Sequence, residues 1–151
     1  MESAKELTIQ ILKDLIATCK TGFIFFKAAS EKISEPNLKA TFNHYAIAKK
    51  ENMCKLEAEV ERLGGEITKV GKDLQINANI LEEFDYLDNE GKILSECEKV
   101  DNAVLNKYSN AINDNILWEV IPLVAKQYFD SVNLHDRFIF MNQTQQHTAY
   151  S

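Results

Sequence analysis

The sequence predicts an all-α four-helix bundle with one long crossover, and three observations carry that reading. Four stretches repeat apolar residues at spacings of three and four for six or seven turns each, the mark of long amphipathic helices that share a core. Pro36 and Gly64-Gly65 punctuate the chain where one helix should begin and another close, because proline suits a first helical turn and glycine suits the left-handed residue after a last one. Residues 64–89 separate the second and third stretches, a length that carries a chain back along a bundle instead of turning it tightly.

The first helix is expected over about 5–33, with Leu12, Ile16, Cys19, Phe23, Phe26 and Ile33 on one face. Ser34-Glu35-Pro36 ends it, since proline pushes the preceding residue out of the helical region. The second, about 37–63, carries Leu38, Phe42, Tyr45 or Ala46, Lys49, Met53, Leu56, Val60 and Leu63. Within the crossover, Leu74, Ile76, Ile80, Leu81, Phe84 and Leu87 suggest a short helix. The third helix, about 90–112, presents Leu94, Cys97, Val100 or Asp101, Val104, Tyr108 and Ala111, and Asn113-Asp114-Asn115 breaks it. The fourth, about 117–142, is expected to bury Ile121, Val124, Tyr128, Val132, His135 and Ile139. A start near Trp118 keeps Pro122 in the first turn, where a missing amide is harmless. The tail, 143–151, is polar and expected to fray.

The 151 residues fit one domain, 1–151, with enough chain to bury a full core. A formal charge of −6 argues against nucleic acid, whose phosphates call for clustered Lys and Arg. No apolar run approaches a membrane span and the N-terminus has no apolar leader, so no membrane association and a cytoplasmic location are expected. Cys19, Cys54 and Cys97 form an odd set without C-x-x-C spacing, and read as reduced thiols acting as small core hydrophobes.

Polar residues interrupt the apolar stripes near their middle: Lys49, Asp101 and His135, each on a different helix, with Gln127 and Ser131 at a similar height. One reading makes Lys49 and Asp101 a buried ion pair completed by Gln127 or Ser131, because an isolated buried charge costs several kcal/mol. The other lays the Lys49 methylenes over the stripe's flank and sends its ammonium to water. A dinuclear iron or manganese centre needs paired Glu-x-x-His motifs, yet His44, His135 and His147 are preceded three residues earlier by Thr41, Val132 and Thr144. Asp101, His135 and Glu98 remain as weak candidates for a single iron, manganese or zinc ion, and no cofactor is the main expectation. No catalytic residue is assigned. The Phe23-Ile24-Phe25-Phe26 run and Phe138 to Met141 read as core with a flank, or as a dimer patch, and Phe23, Phe26 and Leu81 as the lining of an apolar pocket.

Cys19-Lys20-Thr21-Gly22 with Ala28-Ala29, the segment Leu56 to Gly65, Ile93 to Glu98 through Tyr108, Gln127-Tyr128 and His135-Asp136-Arg137 together resemble an uncharacterised bacterial family of ferritin-like four-helix-bundle proteins, catalogued as a domain of unknown function. The resemblance spans about Leu7 to Phe140. It implies a ferritin-like bundle with a short crossover helix and no established reaction. Where the family has an acid this chain has Thr21, and the family's Glu-Asp pair on the third helix stands here as Asp101-Asn102. The expected function is therefore non-enzymatic: a structural or interaction module, stress-related by analogy, with an unknown protein partner or a second copy. The alternative is a degenerate carboxylate protein with weak metal binding or redox activity at the polar layer.

Overall fold

The computed structural model describes residues 3–67 and 89–149. Among them are four long helices, α1 (Ala4–Lys32), α2 (Pro36–Arg62), α3 (Glu90–Ile112) and α4 (Ile121–Ala149). The expected crossover helix falls on residues 68–88, outside the described residues.

Each helix start has a physical cause. Ser3 caps α1 in a reciprocal box: its Oγ accepts from the Glu6 amide at 3.1 Å and the Glu6 carboxylate accepts from the Ser3 amide at 3.4 Å. Glu35 caps α2, its carboxylate accepting from the Asn37 and Leu38 amides at 3.1 and 2.7 Å, with Pro36 in the first turn. The Asn89 side chain accepts from the Lys92 amide at 2.9 Å to open α3. Gly64 closes α2 at φ 87°, where a side chain would be strained. Gly65 follows because a Cβ there would lie 2.8 Å from Val60 Cγ1.

End-to-end contacts set the topology. Ser34 donates from its amide and its hydroxyl to the Glu90 carboxylate at 2.7 and 2.6 Å, so α3 begins where α1 ends. The Leu117 amide donates to Thr8 Oγ1 at 2.9 Å, so α4 begins where α1 begins. It follows that α1 and α4 point one way, α2 and α3 the other. Around the bundle the neighbours are α1–α2, α1–α3, α3–α4 and, most loosely, α4–α2. No helix among the described residues is long and apolar enough to cross a membrane.

Two features of α4 differ from expectation. It continues to Ala149, seven residues past the expected end, so a helix stands where a frayed tail was expected. Its inward stripe is Val124, Gln127, Ser131, Leu134 and Phe138, whereas Tyr128, Val132, His135 and Ile139 sit half-buried on its flank and Ile121 is exposed. The apolar pattern pointed to the flank because the true core face carries Gln127 and Ser131. The start agrees with Pro122 being harmless: Trp118 to Val120 form a turn, and Pro122 is the second helical residue.

The interior has two apolar clusters. One, largely aliphatic, joins Leu12, Leu15, Ile16, Leu56, Val60, Val104, Val120 and Val124 near the start of α1. The other, rich in rings, gathers Phe25, Phe26, Phe42, Tyr45, Leu94 and Phe138 at the opposite end. The polar residues lie between them.

Candidate functional site

Lys49, Asp101 and Ser131 are fully buried and Gln127 is 2 % exposed. Helical spacing aims them inward: Tyr45 and Lys49 lie one turn apart on α2, as do Gln127 and Ser131 on α4. The ammonium and the carboxylate, however, are not each other's partner. Asp101 accepts from Tyr45 Oη at 2.8 Å and is hydrogen-bonded through Oδ2 to His135 Nδ1 at 2.5 Å. Lys49 Nζ donates to Ser131 Oγ at 2.5 Å and lies over the rings of Tyr45 and Tyr108, 4.9 and 5.5 Å from their centroids. The direct ion pair read from the sequence is thus replaced by two separate networks on adjacent levels, and Lys49 does not reach water either. Tyrosine made the difference, since a buried ring whose hydroxyl must find an acceptor takes the carboxylate first.

A third network lies one turn towards the aliphatic end. Tyr108 Oη donates to Gln127 Oε1 at 2.8 Å, Gln127 Nε2 donates to the Asn52 carbonyl at 3.2 Å, and Cys19 Sγ lies 3.0 Å from the same phenol oxygen. Because the phenol's one hydrogen goes to an amide oxygen, which only accepts, the thiol is the donor to the phenol. Ser131 Oγ donates to the Gln127 carbonyl at 2.7 Å, linking this level to Lys49.

Burial sets the electrostatics. Desolvation lowers the Lys49 pKa, opposed by the fields of Cys19, Asp101 and Asp130. Desolvation also raises that of Asp101, against the hydrogen bonds of His135 and Tyr45 and the fields of His135 and Lys49. Burial pushes the Cys19, Cys97 and Tyr108 groups up, so neither buried thiol is an activated nucleophile. Cys54 was expected in the core; it is exposed, one residue past the half-buried Met53 on the stripe's edge.

Of the sequence-derived metal candidates Asp101 and His135 meet directly, without Glu98 as a third ligand. Asp101 already uses both oxygens, His135 keeps 21 % of its side chain exposed, and Glu98 is half-buried on α3. Among the described residues no three His, Cys, Asp or Glu side chains gather closely enough to hold a metal ion. One carboxylate and one imidazole beside a buried ammonium do not fit a dinuclear site, which needs several bridging carboxylates and no cation in the same layer. The apolar pocket expected around Phe23, Phe26 and Leu81 involves a residue outside those described. Phe26 itself is fully buried in the ring cluster, and Phe23 is half-buried with Lys27 and Lys50 at 5.7 and 5.6 Å from its ring centre.

Sequence reasoning missed Tyr45 and Tyr108 as polar members. The available signal was a phenol one turn from Lys49 on α2, Tyr45, and another two turns from Asp101 on α3, Tyr108. It also missed a groove of about 300 Å³ between α2 and α4, lined by His44, Asn52, Lys55, Asp130, Ser131 and Arg137 among others, where these two helices part.

Four helices around a self-bonded polar waist define an all-α bundle protein. The chain belongs to the DUF2383 family, a domain of unknown function, whose model matches residues 7–114. The match covers α1, α2 and α3, so Gln127, Ser131 and His135 lie beyond it. No curated protein shows a significant match.

Proposed function

We propose that this protein is a non-enzymatic, ferritin-like helical bundle that acts in the bacterial cytoplasm as a structural or protein-interaction module. The observation that carries the reading is the closure of the waist on itself. Asp101 is held by Tyr45 and His135, Lys49 by Ser131, and Tyr108 by Gln127 and Cys19, so the buried groups bind one another. Such a layer fixes the register of α2, α3 and α4, because sliding any of these by one turn strands a buried charge. The parallel run of α2 and α3 supports the ferritin-like topology. A role in stress rests on analogy alone.

Elemental analysis of protein purified without chelator tests this against the degenerate carboxylate alternative. Sub-stoichiometric iron, manganese and zinc, unchanged in Asp101→Ala, is expected. One metal per chain that disappears with Asp101→Ala or His135→Ala would replace the proposal by the metal-binding one.

A further inference from the structure

Helix α4 carries a second apolar face, turned away from its own bundle. Pro122, Ala125, Phe129 and Phe140 recur at helical spacing on the side opposite Gln127, Ser131 and Phe138, with Ile121 and the half-buried Val132 at the edge of that face. Trp118, in the turn before the helix, is 82 % exposed, Phe129 63 % and Phe140 69 %. Large aromatics so exposed along one line are a docking surface and not scattered surface residues.

The order of residues says what covers it. Trp118 and Phe140 each lie eleven residues from Phe129, three helical turns in either direction. An antiparallel copy of α4, related by a twofold axis through Phe129, therefore sets Trp118 against the second copy's Phe140 and Phe129 against its own counterpart. The edge of the face carries a charge pattern centred one residue earlier, at Tyr128, within the reach of long side chains. Glu119, Lys126, Asp130 and Arg137 run acid, base, acid, base, so the reversed copy meets Glu119 with Arg137 and Lys126 with Asp130. Among the described residues these groups form exposed pairs, Lys126 with Asp130 at 3.2 Å and Glu119 with Arg62 at 3.8 Å, which exchange partners at little cost. Asp136, the one charge inside the face, lies seven residues from Phe129 and so meets the first turn of the second copy's α4, the positive end of that helix dipole.

We infer that the outward face of α4 is a homodimer interface, in which two copies pair their fourth helices antiparallel about Phe129. This gives the interaction module proposed above its partner, and it rests on that reading. With about 150–250 Å² available on each aromatic, the three rings expose roughly 300–500 Å² per copy. From both copies that is roughly 600–1,000 Å², at or below the lower edge of specific interfaces, about 1,000 Å² in total, so the dimer is a weak, concentration-dependent one.

Sedimentation of the full chain over about 1–200 µM tests it. Wild type should shift from monomer to dimer within that range, and Phe129→Glu should remain monomeric with unchanged helical circular dichroism. A wild type that stays monomeric, or a dimer indifferent to Phe129→Glu, overturns the inference. Oxidative crosslinking in a Cys54→Ser background reads the register. Phe129→Cys alone, and Trp118→Cys mixed with Phe140→Cys, should each give covalent dimer, while Trp118→Cys alone should not. Trp118-to-Trp118 crosslinking would demand a parallel pair and overturn it. A metal-loaded dimer would instead remove the functional reading and leave the interface standing.

Discussion

The two ends of the core are built from different materials. Near the start of α1 the interior is branched aliphatics, Leu12, Leu15, Ile16, Leu56 and Val60. At the opposite end Phe26 stacks on Tyr45 at 3.8 Å between ring centres and meets Phe42 edge-on at 5.3 Å, with Phe138 at 6.5 Å. Aliphatic side chains adapt to a neighbour's loss by changing rotamer, whereas interlocked rings hold fixed angles and collapse poorly. The contrast teaches that the aromatic end determines a unique arrangement, and the aliphatic end mainly adds buried area.

The sharpest test is to open both ends equally. Phe26→Ala should cost about 4 kcal/mol and Leu56→Ala about 3 in urea unfolding, the range for buried truncations. Equal losses, or a larger one at Leu56, would break the contrast. A conservative swap, Leu56→Met, should cost less than about 1.5 kcal/mol.

The waist between the ends comes next. Asp101→Ala leaves the buried Tyr45 hydroxyl without its acceptor, while His135 turns to water, so a loss of about 2 kcal/mol is expected. Replacing the other charge should act in reverse. Lys49→Met keeps the stem that fills the interior and removes a desolvated ammonium, so thermal unfolding at neutral pH should show a gain of about 1 kcal/mol. Its pH dependence has a definite sign. The Lys49 pKa is lowered in the fold, so the unfolded chain binds more protons between the folded and unfolded values, and wild-type stability rises with pH there. The advantage of Lys49→Met is therefore full below the folded pKa and fades as pH rises towards the ordinary lysine value. A pH-independent advantage would place the ammonium in water, and one that grows with alkali would make it the partner of an anion.

The smallest effect concerns backbone. Gly22 is buried against the Lys49 stem, and a Cβ there would sit 3.5 Å from Lys49 Cγ, an ordinary contact. Gly22→Ala should stabilise by about 0.5 kcal/mol through helix propensity. A loss would mean that the waist is tighter than its neighbours at either end.

Much of this architecture could be read from residue order. The stripes of α1 and α2 are legible because nearly every inward position is apolar: Leu12, Ile16, Cys19 and Phe26 on one, Leu38, Phe42, Leu56 and Val60 on the other. The stripe of α4 is not, because it buries Gln127 and Ser131 while Phe129 and Phe140 face outward, so hydrophobicity alone points the helix the wrong way. The waist was legible as a set of residues and illegible as a set of bonds. Lys49, Asp101, Gln127 and His135 interrupt the pattern visibly, but pairing depends on which hydroxyl reaches which oxygen, and Tyr45 and Tyr108 read as plain core. The continuation of α4 to Ala149 was hidden by its polar composition, since a helix end without an apolar face leaves no periodic mark.

The placement of the three thiols has a practical corollary. Cys19 and Cys97 are sealed inside and poorly ionised, while Cys54 faces solvent on α2. A maleimide dye should therefore tag the native chain at one position only, and the rate at which the second and third tags appear becomes a clock for how often the bundle opens.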